Sequence, residues 1–309
     1  MHEVNDLKLT SLSHLIGQRS VADQVKVALD AAFQDGQRFP HAALVGPPGL
    51  GKSSLAEIIA EEMAVPHEVV LGQNLTTAAE LNALLLRATD KSIVLIDEVH
   101  EAGKQIQTAL YLALDKRQIF LSGGGAIQSL PIADFTLLIA TTEEYQLLQP
   151  LRDRLRLTLR FQFYSPEELS RITACRAKSL GWDVDERILS LIADRAKGTP
   201  RKALNLLQAS RRVCRSEGET RITLQHLERA CALECIDSLG LGPTDTEYLR
   251  LLIDGPKRLN VLASALGLPA RTLSTVNEPF LIRAGLISKD DQSRRCLTTK
   301  GQTHLRGDE

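Results

Sequence analysis

Apolar residues recur along this chain with two alternating periods. Between residues 17 and 33, Val21, Val25, Ala28, Leu29 and Ala32 fall three or four apart, the spacing of one helix face. Pro40 and His41 break that pattern, and Ala42-Ala-Leu-Val45 comes next as an unbroken apolar run of strand length. Runs at 67–71, 93–96 and 135–140 repeat the theme, with helical stretches at 54–62 and 76–88 between them. Short apolar runs alternating with helices predict a parallel sheet buried on both faces, with helices covering each side. Thr77 and Glu80 stand three apart at the head of the 76–88 stretch, which predicts a capping box. Residues 119–121 and 126–130 flank a triglycine and predict a β-hairpin with a bare tip.

Past residue 164 the strand-like runs stop. Ser165-Pro-Glu-Glu168 places a cap and two acids at a helix start, and helical spacing holds to about residue 235, with loops at 181–183 and 216–218. Leu239-Gly-Leu-Gly-Pro243 reads as a linker. Helices are predicted at 244–253, 258–266 and 270–284, and then a hairpin turns through Asp290-Asp-Gln-Ser293. Three helices and a wing make a winged-helix domain. The expected division is therefore 1–163, 164–236 and 237–309.

Composition narrows the function. The chain has 309 residues and a formal net charge of -1, so no global basic field announces a nucleic-acid partner. Residues 237–309 carry ten Lys or Arg against nine Asp or Glu, so any DNA surface there rests on local clusters. Lys289, Arg294, Arg295 and Lys300, on or beside the predicted wing, are the candidate phosphate contacts. The five cysteines lack metal-type spacing, and Cys231 and Cys235 are expected on a buried helix face. No apolar run approaches membrane-spanning length and no secretory leader pattern opens the chain, so a cytoplasmic protein is expected.

The chemistry concentrates in Gly46-Pro-Pro-Gly-Leu-Gly-Lys-Ser53, between the first apolar run and a helix. Strand, glycine turn and helix together form a phosphate loop: the backbone curls so that N–H groups face phosphate oxygens, with a helix N-terminus behind them. Gly46, Pro47, Pro48, Gly49, Leu50, Gly51, Lys52, Ser53 and Ser54 are the expected nucleotide contacts. Lys52 would reach the β- and γ-phosphates, and Ser53 would ligate Mg²⁺. The run at 93–96 ends in Asp97 and Glu98. At the carboxyl end of a buried strand, Asp97 would hold the metal and Glu98 would polarise an attacking water. Thr141 and Thr142 close another strand, where a hydroxyl would read the γ-phosphate or position the water. Pro150-Leu-Arg-Asp-Arg154 offers cations that read either as a solvated charge run or as an arginine finger for a neighbouring subunit.

The order of the phosphate loop, Ile-Asp-Glu-Val-His100, Ala140-Thr-Thr142, Pro150-Leu-Arg-Asp-Arg154 and Gly198-Thr-Pro-Arg201 resembles the AAA+ ATPases. Within them it resembles the RuvB family, motors of Holliday junction branch migration in recombination and repair. The likeness runs from Leu15-Ile-Gly-Gln18 to Thr298-Thr299, with His41, Tyr111 and Glu278-Pro-Phe-Leu-Ile-Arg-Ala-Gly285 among its more specific pieces. It implies ATP and Mg²⁺ as cofactors, a helical lid after the ATPase core and a hexameric ring on duplex or four-way-junction DNA. Thr142 would be sensor 1, Arg154 the finger acting in trans (Arg152 the second choice) and Arg201 the sensor 2 arginine.

Three departures bear on the attachments. The lead-in Asp6-Leu-Lys-Leu-Thr10 lacks the Arg-Pro that helps to seat adenine in this family. The hairpin that docks on RuvA, the junction-binding partner, is shorter and ends in Gly123-Gly-Gly125-Ala. A bare tip buries less apolar area and weighs against a RuvA-like partner. The wing reads Ser288-Lys-Asp-Asp-Gln-Ser-Arg-Arg295, with two aspartates where phosphates would approach. A clamp-loader-like or protein-remodelling ATPase is the competing expectation.

Overall fold

The computed structural model of the chain describes residues 11–123 and 126–307, which form two compact units divided between Glu168 and Leu169. The altered lead-in at 6–10 and the glycines at 124 and 125 lie outside the described residues.

The first unit is built on five parallel strands: β1 (Ala42–Val45), β2 (His67–Leu71), β3 (Ile93–Asp97), β6 (Thr136–Thr141) and β7 (Leu157–Arg160), in the spatial order β2-β3-β6-β1-β7. Strands β1 and β6 are buried along their whole length and β3 up to Asp97, as their unbroken apolar runs require, while the edge strand β2 alternates. Helices α1 (Arg19–Gln34), α2 (Lys52–Glu62), α3 (Ala78–Arg87), α4 (Lys104–Lys116) and α5 (Gln149–Arg152) connect them. The capping box on α3 is formed, with Glu80 and Thr77 satisfying each other's backbone N–H groups. Those backbone bonds hold the Glu80 carboxyl below the usual range. Strand register fixes where the chemistry can sit. Val45 pairs with Thr141 and Ile96 with Ile139, so the carboxyl ends of β1, β3 and β6 lie side by side.

His41 holds the strand that leads to the phosphate loop. Its Nδ1 accepts the Leu137 N–H at 2.8 Å, and its carbonyl accepts the Arg156 N–H at 2.9 Å. Burial, with the Arg38 guanidinium 3.2 Å from Nε2, pushes the ring's pKa down to about 3. The ring therefore works as a neutral staple between β1 and β6.

Helix α4 runs through a left-handed Arg117 into a hairpin, β4 (Gln118–Gly123) against β5 (Ala126–Pro131). Its arms expose Phe120 and Leu130, so apolar area persists below the glycine tip.

Helix α6 (Pro166–Ser179) starts in the first unit at a formed Ser165–Glu168 box and runs into the second, which holds the rest of the helical segment and the wing. Helices α7 (Glu186–Arg195), α8 (Pro200–Ser216) and α9 (Leu224–Leu233) pack around Leu206, Leu207, Val213 and Ala230. A two-residue parallel pair, β8 (Asp183–Val184) with β9 (Arg221–Ile222), ties its loops together and is too short to show a period in sequence. Cys231 is buried as expected. Cys235 is not: helix α9 stops at Leu233, and Cys235 sits exposed in a left-handed turn at φ 51°.

The remaining helices are α10 (Pro243–Arg250), α11 (Leu259–Leu266), α12 (Ala270–Thr272) and α13 (Glu278–Arg283), the last two joined by a π-helical turn at Leu273–Asn277. Pro279 has no N–H to donate one turn back, and the widened turn accommodates that gap. The wing is β10 (Ile287–Lys289) against β11 (Arg295–Leu297). A further helix, α14 (Thr299–Gly307), comes after it. Its Leu305 packs on the domain core, and a Cβ at Gly301 would lie 2.4 Å from the Leu286 carbonyl oxygen, so only glycine fits that approach. Among the described residues no helix is long and apolar enough to cross a membrane.

Candidate nucleotide site and DNA-facing elements

The phosphate loop closes over the end of β1. Gly49 and Gly51 take φ values of 77° and 94°, and a Cβ at Gly46 would meet the Phe161 carbonyl at 2.9 Å. These positions need glycine. Helix α2 begins at Lys52 with Gly51 as N-cap and no side-chain cap, which leaves its first N–H groups to a ligand. Lys52 is folded down: its Nζ donates to the carbonyls of Gly46 at 2.8 Å and Pro47 at 3.0 Å. Tyr164 braces the loop by donating to the Leu50 carbonyl at 3.2 Å. Burial pushes its phenol up to about 12, so it stays a donor near neutral pH.

The acids stand where the register places them. Ser53 Oγ donates to Asp97 Oδ2 at 2.8 Å, while Asp97 Oδ1 accepts the Glu98 N–H at 2.9 Å. That bond helps to hold Glu98 in a left-handed backbone at φ 49°, which turns its side chain out of the strand line. Thr142 Oγ1 donates to Glu98 Oε2 at 3.3 Å. His100, which closes the Ile-Asp-Glu-Val-His100 motif but has no role assigned from sequence, lies beside them. Its Nδ1 lies 3.4 Å from Glu98 Oε2 and 3.0 Å from Thr141 Oγ1, and its side chain is 4% exposed. A histidine two residues beyond the glutamate, in so tight a turn, was the available signal. The structure thus brings Lys52, Ser53, Asp97, Glu98 and Thr142 onto one edge of the sheet. Hydroxyl and carboxylate oxygens at Ser53 and Asp97 are the hard donors that suit magnesium.

The two finger candidates stand apart from that cluster. Arg154 is held side-on by Asp115 of α4, Nε and Nη2 donating at 2.8 and 2.5 Å, and it lies 5.3 Å from the Tyr111 ring centre. Its Nη1 donates to the Pro150 carbonyl at 2.8 Å. Three of five donors are used, so two remain for an anion among the described residues. Arg152 donates to Gln149 at 2.5 Å, but its Nε is buried without a partner among the described residues.

In the second unit Arg201 is exposed in the first turn of α8. The four wing cations divide. Lys289 and Arg294 remain at the surface, Lys289 with its ammonium 3.4 Å from Glu278 Oε2 and Arg294 paired with Asp290 at 2.7 Å, and exposed Lys300 donates to the Ala284 carbonyl at 2.8 Å. Arg295 does not join them. Its side chain is 10% exposed and makes a two-pronged pair with buried Glu278, at 2.7 and 3.1 Å. It is a core residue of the winged helix, so its expected place among the phosphate contacts is corrected.

Among the described residues, one other cluster has metal-ligand chemistry: Glu217, Glu219 and buried His226. There His226 Nδ1 accepts the Thr223 N–H at 3.0 Å as part of a helix cap. The neutral ring must then carry its proton on Nε2, which faces Glu217 at 3.1 Å and Glu219 at 3.3 Å. The arrangement is a cap with two acceptors.

A phosphate loop and an acid-tipped strand in one parallel sheet, ahead of a helical segment and a winged helix, define a nucleotide-hydrolysing P-loop enzyme on the AAA+ plan. Family models match the whole of that plan: the Holliday junction DNA helicase RuvB P-loop domain over residues 7–161, the RuvB AAA lid domain over 164–237 and the RuvB C-terminal winged helix domain over 238–306. The chain belongs to the RuvB family. The Holliday junction branch migration complex subunit RuvB of Kosmotoga olearia is 36% identical over 307 residues, covering 97% of this chain and 90% of that protein. Its counterpart from Mycobacterium avium is 36% identical over 307 residues, with 97% and 87% covered. The Thermotoga maritima RuvB Holliday junction branch migration motor superposes with a TM-score of 0.88 at 33% identity, covering 97% of this chain and 98% of that one.

Proposed function

We propose that this chain is an ATP-driven motor that moves the branch point of Holliday junctions, working in the cytoplasm as a hexameric ring. The carrying observation is the convergence of Ser53, Asp97, Glu98 and Thr142 beside the phosphate loop, in a chain matched along its length by one family. Lys52 exchanges two backbone carbonyls for the β- and γ-phosphates of ATP. Ser53 and Asp97 would hold Mg²⁺, which would neutralise phosphate charge. Glu98 orients the attacking water and releases Thr142 to the γ-phosphate. Arg154, presented by Asp115 and Tyr111, serves the neighbouring subunit's site, and Arg201 carries nucleotide state into the lid. Domain limits at 1–163, 164–236 and 237–309 fit this division of labour.

Lys289, Arg294 and Lys300 face the DNA backbone in this reading. Phe120 and Leu130 on the hairpin arms offer the apolar area for a RuvA-like partner that the glycine tip lacks. One observation favours a protein-directed remodelling ATPase instead: Arg294 is neutralised by Asp290 within the wing. Steady-state ATPase activity with and without a synthetic four-way junction, at two salt concentrations, decides between them. Stimulation by the junction that fades with salt is expected, because phosphate contacts are lost to competing counterions. Robust hydrolysis indifferent to any DNA would overturn the DNA motor and leave the protein-directed reading.

A further inference from the structure

The turn that launches the helix of Arg201 is held from outside the lid. Lys197, Gly198 and Thr199 join α7 to α8, with φ values of 53° at Lys197 and 77° at Gly198. A lysine in the left-handed region has little intrinsic reason to stay there, so its surroundings must impose it. Its side chain is 6% exposed, and its ammonium pairs with Asp245, 8% exposed, on the first helix of the winged-helix domain. Asp245 is itself fixed, its Oδ1 accepting from Asn277 Nδ2 at 2.7 Å and its Oδ2 from the Gly242 N–H at 3.2 Å. The Lys197 ammonium lies 5.1 Å from the centre of the Phe280 ring, and Arg283 donates to the Lys197 carbonyl at 2.6 Å. Carboxylate, ring and guanidinium all come from the winged-helix domain. The linker closes the fit: a Cβ at Gly240 would lie 2.0 Å from the Arg195 carbonyl oxygen at the end of α7.

A buried pair of this kind adds little net stability over an apolar one of similar volume. What it does is forbid alternatives. Sliding the helical segment against the winged helix would part a buried ammonium and a buried carboxylate, leaving each without its opposite charge.

We propose that Asp245 and Lys197 are positioning residues for Arg201, so that the winged-helix domain sets the turn carrying the nucleotide-sensing arginine. The proposal rests on the sensor reading of Arg201 given above. It makes the lid and the winged helix one lever, with no free hinge at residues 239–243. Force on the winged helix from its ligand then reaches Arg201 directly, and nucleotide state returns by the same route.

A double-mutant cycle on the full-length protein tests this, with junction-stimulated kcat and KM for ATP as readouts. Arg201→Ala is expected to lower kcat about tenfold or more, and Asp245→Asn about fivefold. Because both act through one group, Asp245→Asn should add less than about twofold on top of Arg201→Ala. Removal of the exposed Arg283 side chain (Arg283→Ala) should give a smaller loss with the same lack of additivity, and it decides the matter if Asp245→Asn does not fold. Wild-type kcat in folded Asp245→Asn, or losses that multiply in the double variant, would overturn the positioning role while leaving the sensor intact. Wild-type kcat in Arg201→Ala would remove the sensor reading and the proposal with it.

Discussion

The phosphate loop and the wing both carry cations, and they hold them in opposite ways. Lys52 rests on two neutral carbonyls, Gly46 and Pro47. Arg294 and Arg295 rest on carboxylates, Asp290 and Glu278. Leaving a carboxylate forfeits a full opposite charge, which leaving a carbonyl does not, so the wing arginines are held back from a phosphate by their partners. A count of basic residues therefore overstates the wing and understates the loop. Arg154 lies between these cases: Asp115 and the Pro150 carbonyl take three of its five donors and leave two uncommitted among the described residues.

If Arg154 completes the neighbouring subunit's site, its removal should have the largest effect. Arg154→Ala is expected to lower ATP turnover on the order of 10³-fold while leaving nucleotide affinity within about threefold. Mixing it with Lys52→Ala should restore part of the activity, because each subunit supplies what its neighbour lacks. Failure of the mixture to recover any turnover would remove the trans assignment.

Arg295 breaks the comparison on the wing side. Glu278 is 2% exposed and also accepts from the Tyr248 hydroxyl at 2.8 Å. Burial alone would raise its pKa, but its bonds to Arg295 and Tyr248 outweigh that and hold it below the usual range. Arg295→Ala removes the two-pronged partner of that carboxylate, leaving it Lys289 at 3.4 Å and the Tyr248 hydroxyl, and should destabilise the winged helix by roughly 2 kcal/mol in urea unfolding. Pairing it with Glu278→Leu should recover much of the loss, since an apolar replacement removes the buried charge as well.

How much of this is legible in the sequence depends on how local each signal is. The phosphate loop, the acid-tipped β3 and the Thr77–Glu80 box are written within a few consecutive residues, and each is found where expected. Helix α14 offers only Leu305 as a large apolar residue, so no period announces it. Arg295 resembles any wing cation until Glu278, 17 residues upstream, is folded beside it. Lys197 and Asp245 are 48 apart, and neither carries a local pattern. What a sequence hides here is partnership across domains and turns, and the partners decide whether a charge is available.

Acid should expose the same principle at the strand beneath the phosphate loop. His41 has a folded-state pKa of about 3 against 6.5 for the free side chain, so the unfolded chain binds the extra proton first. The stability it contributes is complete above pH 6.5 and is lost as pH falls toward 3. The loss should reach about 2 kcal/mol at about pH 5. Urea midpoints at about pH 7 and about pH 5 measure it, and His41→Asn should flatten that part of the profile.

The smallest expected effect is the most informative about the wing. Asp290 accepts the Arg294 guanidinium at 2.7 Å and also the backbone N–H groups of Gln292 and Arg294, at 3.0 and 2.8 Å. Asp290→Asn keeps an oxygen for the turn but removes the charge that neutralises the arginine. If Arg294 belongs to the DNA face, this variant should bind a four-way junction a few-fold more tightly at low salt. The slope of log affinity against log salt should steepen by about 0.9, the signature of one more phosphate neutralised. Tighter binding without a steeper slope would mean that the lost aspartate had merely repelled the DNA at a distance. No change in either would place Arg294 off the DNA path and leave Lys289 and Lys300 as the wing's contribution.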